Sequence, residues 1–267
     1  MLEFVDDSFI KEKSFENILS IQVGLNGFSF CIRGKENNHL LYFKQLPVKT
    51  SSDHLFIRRL EDWCKEDELL QLPYYEKQVF YIGHRFSLVP EQLEHEELKS
   101  NVRSLIMSAH NEEEYAENWI EEIKAKLVYI LPDRLHKVLS ENLGSFRLKH
   151  IVQKLISSPV PESAKNNLLL FFDEKELIIL ARKEAQLVLC NIFKVNHVND
   201  VIYYMLTLVK QLPIDSKNCL VQVSGKSDFM EGSVNSLSKH FISIERFPQN
   251  TDARLNQVAV SESVCLF

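Results

Sequence analysis

The sequence has no long apolar segment and no excess of positive charge. Its longest apolar runs, such as residues 168–172, are far shorter than the roughly 20 residues that a bilayer-spanning helix needs. The formal net charge is -6 at pH 7, so no overall positive field would attract nucleic acid or anionic lipid. We therefore expect neither a nucleic acid nor a membrane among its partners.

The sequence also lacks the patterns of secretion, disulfide frameworks and zinc sites. Its five cysteines are odd in number and widely spaced, without a Cys-x-x-Cys pair. Cys31, Cys190 and Cys219 lie in apolar strand-like runs, where a thiol behaves as a small hydrophobic group, and we interpret them as packing residues. The first residues do not resemble a secretory signal. We therefore predict a cytoplasmic protein.

Motifs for hydrolytic or metal chemistry are missing as well. The nine histidines are scattered, with no His-Glu-x-x-His spacing, and no serine stands in a Gly-x-Ser-x-Gly setting. Paired acids such as Glu121 and Glu122 are typical of a solvated helix face. The sequence predicts no catalytic residues and no metal site.

What the sequence does contain is one order of elements, present twice. In the first half, apolar residues alternate in 19–23 and 28–32 around a turn from Gly24 to Gly27, which predicts a hairpin. Further elements are predicted in this order: a strand at 40–46, a helix after Ser52, a strand at 78–82, a helix from Pro90, a strand at 126–131, and a helix opened by Pro132 and stopped by Gly144.

The second half repeats the order β-β-β-α-β-α-β. Its predicted elements are strands at 168–172, 177–183 and 186–193, a helix at 197–212, a strand at 219–223, a helix at 227–240 and a strand at 241–247. Near-continuous apolar strands need cover on both faces, which amphipathic helices provide. We predict an α/β protein of two tandem ribonuclease-H-like units with mixed sheets, at residues 1–160 and 161–267.

Two such units in tandem resemble the actin-like ATPase superfamily over about residues 17–247. The stretch "VFYIGHR" followed by "FSLVP", at residues 79–90, is similar to a bacterial family of unknown function in that superfamily. In the superfamily, the first hairpin of each half carries an Asp, one further residue and a Gly. The resemblance implies that this carboxylate orders magnesium and water, and that the bare glycine backbone approaches phosphate.

On this sequence, the resemblance places Gln22 and Gly24 in the first hairpin, and Phe171 and Asp173 in the second. An aromatic ring cannot bind a metal, and a carboxylate at the glycine position repels phosphate. The resemblance therefore implies a degenerate nucleotide site. The residues that could still contact a nucleotide in the interdomain cleft are Gly24, Asn26, Gly27, Asp173, Gly225 and Lys226.

Each of these glycines also has a purely structural interpretation, which we favour. Gly24 and Gly27 suit the positive backbone dihedrals of a tight hairpin. Gly225 matches the superfamily's glycine-rich, adenosine-contacting loop, but it also suits a strand-to-helix turn in which Ser227 or Asp228 caps the helix. Leu220 stands where a Walker A motif would require its first glycine, so we predict no P-loop.

An acidic insertion near residues 100–124 distinguishes the first half from the second. In 110–124, Tyr115, Trp119 and Ile120 beside acids would suit a surface for a partner. We favour the alternative, a helix that packs Trp119, Ile120 and Ile123 onto its own domain. The C-terminal segment 254–267 has some apolar alternation and is expected to add a strand or to dock across the fold.

These observations favour a non-catalytic, cytoplasmic binding or scaffold protein that uses no cofactor and whose partner is another protein. The alternative is an atypical ATPase or small-molecule kinase. In that case backbone amides near Gly24 and Gly225 would contact ATP, and Asp173 would hold magnesium. The missing acids argue against the enzyme, and the sequence indicates no oligomeric state.

Overall fold

The computed structural model describes residues 2–48, 52–93, 114–161 and 164–247. The chain divides into two compact units, the first up to Lys154 and the second from Leu155. In the described part of the first unit, the strands and α-helices are β1 (Leu2–Val5), β2 (Asn17–Gly24), β3 (Gly27–Gly34), β4 (Leu40–Pro47), α1 (Asp53–Glu66), β5 (Glu76–Tyr81), β6 (Phe86–Pro90), β7 (Glu114–Ile120), β8 (Ala125–Leu131), α2 (Leu135–Leu143), β9 (Arg147–His150) and α3 (Ile151–Ile156), the last of which crosses the unit boundary.

The first unit is built on a six-stranded mixed sheet in the order β1-β4-β3-β2-β5-β9. Strands β2, β3 and β4 form the predicted antiparallel meander. Strands β5 and β9, each reached through a helix, run parallel to their neighbours, as expected for crossover connections. The fold class predicted from the sequence is confirmed.

The apolar face of this sheet is covered by α1. Ser52 caps the helix, because its hydroxyl accepts a hydrogen bond from the Leu55 N–H at 3.4 Å. The Phe28 ring of β3 lies 5.6 Å from the Phe56 ring and 5.3 Å from the Trp63 ring of this helix, centroid to centroid. Burying these rings stabilises the hairpin from one side.

A separate three-stranded antiparallel sheet, in the order β6-β8-β7, lies between β5 and α2 in the chain. The strand predicted at 126–131 is β8 and belongs to this sheet, so its assignment as the fifth strand of the main sheet was wrong. That position is taken by β9, whose sequence RLKH is short and polar. It carries no apolar strand pattern, because one edge of the main sheet is not buried as deeply as its centre.

Two predictions around the insertion are also corrected. Pro90 ends β6 and a 3₁₀ turn follows at Glu91–Leu93; the rest of the helix predicted from Pro90 lies outside the described residues, as do the acids at 110–113. Residues 114–120 form strand β7 and not a helix. Ile120 is fully buried while Trp119 is 39% exposed, because neighbouring residues of a strand point to opposite faces.

The second unit has the predicted order throughout its described part. Its elements are β10 (Asn166–Asp173), β11 (Glu176–Lys183), β12 (Gln186–Lys194), α4 (Val198–Gln211), β13 (Cys219–Lys226), α5 (Met230–Leu237) and β14 (Ser243–Arg246). The sheet order is β12-β11-β10-β13-β14. Helix α4 begins with a capping box between His197 and Asp200. It buries Val201, Met205 and Leu208 against the sheet. The C-terminal prediction for 254–267 lies outside the described residues.

The two units share a detail that sequence patterns did not reveal. In β3, the register with β4 shifts between Ile32 and Arg33, and in β11, the register with β12 shifts between Ala181 and Arg182. Each arginine stands six residues after the first residue of its strand, which is Gly27 in β3 and Glu176 in β11. Since a bulge is a specific local feature, its recurrence at one position supports the duplication.

Candidate functional site

The candidate residues of the first unit lie at the β2–β3 turn. Gly24 pairs with Gly27 across the hairpin, and Asn26 is half-buried at its tip. Gly27 has φ 149°, in a region that favours glycine. A Cβ placed on Gly24 would lie 3.2 Å from the Cβ of Ile82, just after β5. The positive φ predicted for Gly24 is not found, so turn conformation accounts for Gly27 and close packing for Gly24.

The candidate residues of the second unit lie together where β10 and β13 end. Asp173 pairs with Glu176 across the β10–β11 hairpin and with Lys226 on β13. The Glu174 N–H donates to the Lys226 carbonyl at 2.8 Å, and Glu174 has φ 54°. Asp173 is half-buried and Lys226 is exposed. The geometry thus places one carboxylate and one ammonium group at the same edge of this sheet.

The backbone of β10 leaves no room for a side chain at position 225. It is buried with φ 87°, and an added Cβ would lie 2.0 Å from the carbonyl oxygen of Phe172. No side chain fits at that distance, so two strand backbones approach each other through this glycine. The β10 position at which the resemblance implies a metal-ordering Asp holds Phe171, whose side chain is 1% exposed.

The predicted cap of the following helix is wrong. Helix α5 begins after Phe229, with no side-chain cap. The Ser227 hydroxyl instead accepts a hydrogen bond from the Phe229 N–H at 3.2 Å, which closes a tight turn before the helix. Residues 225–229 therefore form a strand-to-helix turn, as the structural interpretation predicted, but without a cap from Ser227 or Asp228.

A buried polar network crosses the second sheet, and sequence reasoning missed it. Arg182 donates to the Asn167 side-chain oxygen at 2.9 Å and to the Ile156 and Leu155 carbonyls at 2.7 and 3.2 Å. Asn167 donates to Gln222 at 3.0 Å, and Gln222 donates to Glu245 at 2.9 Å. The only signal for it was a single polar residue of this network in each of three largely apolar strands.

Burial dominates the electrostatics of this network. Arg182 is 7% exposed, Asn167 fully buried and Gln222 3% exposed. Burial lowers the pKa of the Arg182 guanidinium, since a charge in a low-dielectric interior is destabilised. Its donors are satisfied by neutral carbonyl oxygens. This network joins the end of α3 to the sheet and holds four strands in register, which is a structural role.

A second buried polar group lies in the first unit, where β9 meets α3. The imidazole of His150 is fully buried among the rings of Tyr81, Phe86 and Tyr129. Its Nδ1 accepts from the Val152 N–H at 3.2 Å, so Nε2 carries the proton and donates to the Gly83 carbonyl at 3.0 Å. Burial lowers the pKa of His150 to about 3, and the ring is neutral.

One side chain of the inserted sheet bonds to the backbone of β9. The Asn118 amide on β7 donates to the Leu148 carbonyl at 3.1 Å and accepts from the His150 N–H at 3.1 Å. An amide side chain thus imitates the pairing of a further strand along the edge of β9. Together with the aromatic rings around His150, this contact holds β6, β7 and β8 against the main sheet.

The cysteines of the described part pack as small hydrophobic groups, and their thiols are unreactive. Cys31, Cys64, Cys190 and Cys219 are free thiols. Burial raises the pKa of Cys64, Cys190 and Cys219 to about 12, which suppresses the reactive thiolate. In the same part of the chain, no group of three or more His, Cys, Asp or Glu side chains is placed to hold a metal ion.

Comparison with solved structures defines the class of fold. A Bacteroides thetaiotaomicron protein, described as having an actin-like ATPase fold and unknown function, superposes with a TM-score of 0.80 at 21% identity, covering 96% of this chain and 99% of that one. A chain of the PilM-PilN type IV pilus biogenesis complex superposes with a TM-score of 0.55 at 10% identity, covering 93% and 96%. This chain has the actin-like ATPase fold.

The family follows from the sequence match. Residues 6–244 match the model of a family described as "Protein of unknown function (DUF3822)", and the chain belongs to that family. No curated protein matches it significantly. No helix among the described residues is long and apolar enough to cross a membrane.

Proposed function

We propose that this chain is a cytoplasmic, non-catalytic binding or scaffold protein that recognises another protein and does not use ATP. The observation that carries the proposal is the environment of Gly225 and Phe171. The backbone of Phe172 fills the space beside the glycine, and a buried ring occupies the position of the expected metal-ordering carboxylate. Packing therefore accounts for both residues without a nucleotide.

Two further features support a protein partner. The net charge of -6 disfavours nucleic acid and anionic lipid surfaces. A similar fold takes part in the PilM-PilN type IV pilus biogenesis complex, and we extend association with another protein to this chain. The free thiols agree with the reducing conditions of a cytoplasm.

Thermal unfolding of the full chain with ATP and magnesium tests the non-catalytic part. We expect no change in melting temperature at millimolar nucleotide. Binding would be detected, because a ligand at 100 times its Kd stabilises the fold by about 2.7 kcal/mol. Asp173→Asn and Glu174→Gln remove one charge each from the same turn. A rise in the wild type that is lost in Asp173→Asn and kept in Glu174→Gln would support the ATPase alternative instead.

Affinity purification under native conditions tests the scaffold part. We expect one or more proteins to co-purify reproducibly and at a fixed ratio with the full chain. The matched control is the same bait after heat denaturation, which exposes core residues non-specifically. If no protein is retained by the native bait above this control, the scaffold proposal is wrong.

A further inference from the structure

Strand β12 forms one edge of the second sheet. It is nine residues long, with the sequence QLVLCNIFK, and Lys194 at its end is its single charged residue. It pairs with β11, and within the described residues no strand pairs with its other side. Long edge strands of low charge offer unpaired backbone groups to another strand.

The corresponding strand of the first unit is covered. There, β4 is the third strand of the meander, and β1 pairs antiparallel with its outer side, for example through Phe4 opposite Phe43 and Val5 opposite Tyr42. The first sheet is thus extended by one strand beyond the meander. The duplicated architecture accepts a strand at this place, and in the second unit the place is open in the described structure.

Strand β12 carries partly exposed apolar side chains on both faces. Val188, which lies at the bulge beside Arg182, is 44% exposed. Leu187, Leu189, Ile192 and Phe193 are half-buried. Side chains occupy two of its backbone groups: the Ile192 N–H donates to the Asn191 amide oxygen at 2.9 Å, and the Lys194 carbonyl accepts from the Tyr204 hydroxyl at 3.3 Å.

These two bonds also show which residues direct their backbone groups outward. In an antiparallel strand, alternate residues direct both backbone groups to the same side, so the backbone of Cys190 faces outward with those of Ile192 and Lys194. Both bonds lie at the surface, where a hydrogen bond contributes little net stability. An incoming strand would replace the bond within Asn191–Ile192 and leave the one at Lys194 at the periphery.

We propose that β12 pairs antiparallel with β12 of a second copy of this chain, about a two-fold axis at Cys190. Cys190 is the fifth of the nine residues, so the axis lies at the middle of the strand. Isologous pairing of this kind closes after two copies and forms one continuous sheet from the second units of both. It does not depend on the proposed function.

The sequence of β12 is self-complementary in this register. Because Val188 is the extra residue of a bulge, Leu187 and Val188 of one copy together lie opposite Ile192 of the other, which is a favourable apolar contact. Lys194 is the single charged residue of the strand and the two copies place it at opposite ends, so no like charges meet. The two lysines are separated by eight residues, or about 27 Å at about 3.4 Å per residue. A second copy therefore suits this edge in length, polarity and charge.

Sedimentation of the full chain from low to several hundred micromolar tests the proposal. We expect the mass to rise from 31.1 kDa towards twice that value. In Val188→Lys, two cations enter the paired strands, and we expect dimerisation to weaken by about tenfold or more. The matched control is Val5→Lys in β1, which is 54% exposed on the edge of the first sheet and should leave dimerisation unchanged.

Hydrogen exchange of the same proteins supplies an independent readout. The amides of 186–194 should become protected as the wild-type concentration rises, and should stay unprotected in Val188→Lys. The proposal is overturned if the wild type remains a monomer throughout, or if Val5→Lys and not Val188→Lys weakens the dimer. Protection independent of concentration, from a segment of the same chain, or protection that requires a different protein, would also overturn it.

Discussion

The two units place their glycines on different strands at the same corner of the sheet. In the first unit, Gly24 ends β2 and packs against the side chain of Ile82, after β5. In the second unit, Asp173 takes the place of Gly24, and the glycine is Gly225 on β13, against the backbone of Phe172. In both units a glycine lets two strand ends approach closely, against a side chain in the first and a backbone in the second, and the two glycines do not belong to one shared loop motif.

The units differ most in the segment that follows β5 in the first unit and β13 in the second. The second unit passes from β13 directly to α5 and β14, whereas the first inserts β6, β7 and β8 before α2 and β9. The insertion leaves the parallel order of the main sheet intact. It is held at the edge strand β9, which shows that an addition is tolerated where it satisfies an open edge.

Gly225→Ala should have the largest effect of the substitutions that test this comparison. The methyl group would meet the Phe172 carbonyl in a backbone conformation that alanine disfavours, so we expect a loss of about 3 kcal/mol or more in the free energy of unfolding. The methyl group of Gly24→Ala would meet only the side chain of Ile82, so we expect a loss of about 1 kcal/mol in the free energy of unfolding. Urea unfolding measures both. Equal costs would show that the two corners do not differ in their packing.

Arg182→Met and Arg33→Met compare the two equivalent bulges. In the second unit, the substitution leaves the Ile156 and Leu155 carbonyls and Asn167 without their donor, and we expect a cost of about 2 kcal/mol. Arg33 is more exposed and donates to the Asn38 carbonyl at 2.8 Å, so its loss should cost about 0.5 kcal/mol. Urea unfolding of the two variants measures both costs. If Arg33→Met proves the more costly, the network is not what stabilises the second sheet.

The contact at His150 is particular to the first unit and should make stability depend on pH. Its folded pKa of about 3 lies below the usual unfolded value of about 6.5. The unfolded chain therefore binds the proton first, and stability is complete above about pH 6.5 and falls towards pH 3. At pH 5 the loss should be about 2 kcal/mol.

His150→Gln isolates the contribution of this histidine. We expect the difference in unfolding free energy between pH 7 and pH 5 to be smaller in the variant. The carboxyl of Asp6, whose pKa hydrogen bonds from Ser8 lower to about 2, loses its contribution only below the usual pKa near 4 and does not interfere. Parallel pH curves for the two proteins would contradict the assignment.

Prediction from the sequence succeeded where one face of an element carries a regular apolar pattern. The hairpins, the strands of the second unit and helices α1 and α4 follow directly from alternation, spacing and caps. It failed for β9, because its four residues are polar, and for β7, because Trp119, Ile120 and Ile123 fit a helical spacing as well as a strand. The cap predicted at Ser227 was wrong because the start of α5 depends on contacts beyond the local sequence.

The candidate site divides in the same way. Residue types identified the turn glycines, and the resemblance to the superfamily implied the absence of an acid at Gln22 and Phe171. They could not show that Phe172 closes on Gly225, nor that Arg182, Asn167 and Gln222 form a single network, because these contacts join strands far apart in the chain.

The sequence by itself determined the duplicated order of strands and helices, since local apolar periodicity selects each element. Only the tertiary structure decided which strand completes each sheet, where the inserted strands attach, and why glycine is required at 225. The physical reason is that edge pairing and close backbone approach arise between distant segments, and their free energy is not encoded in any one stretch of residues.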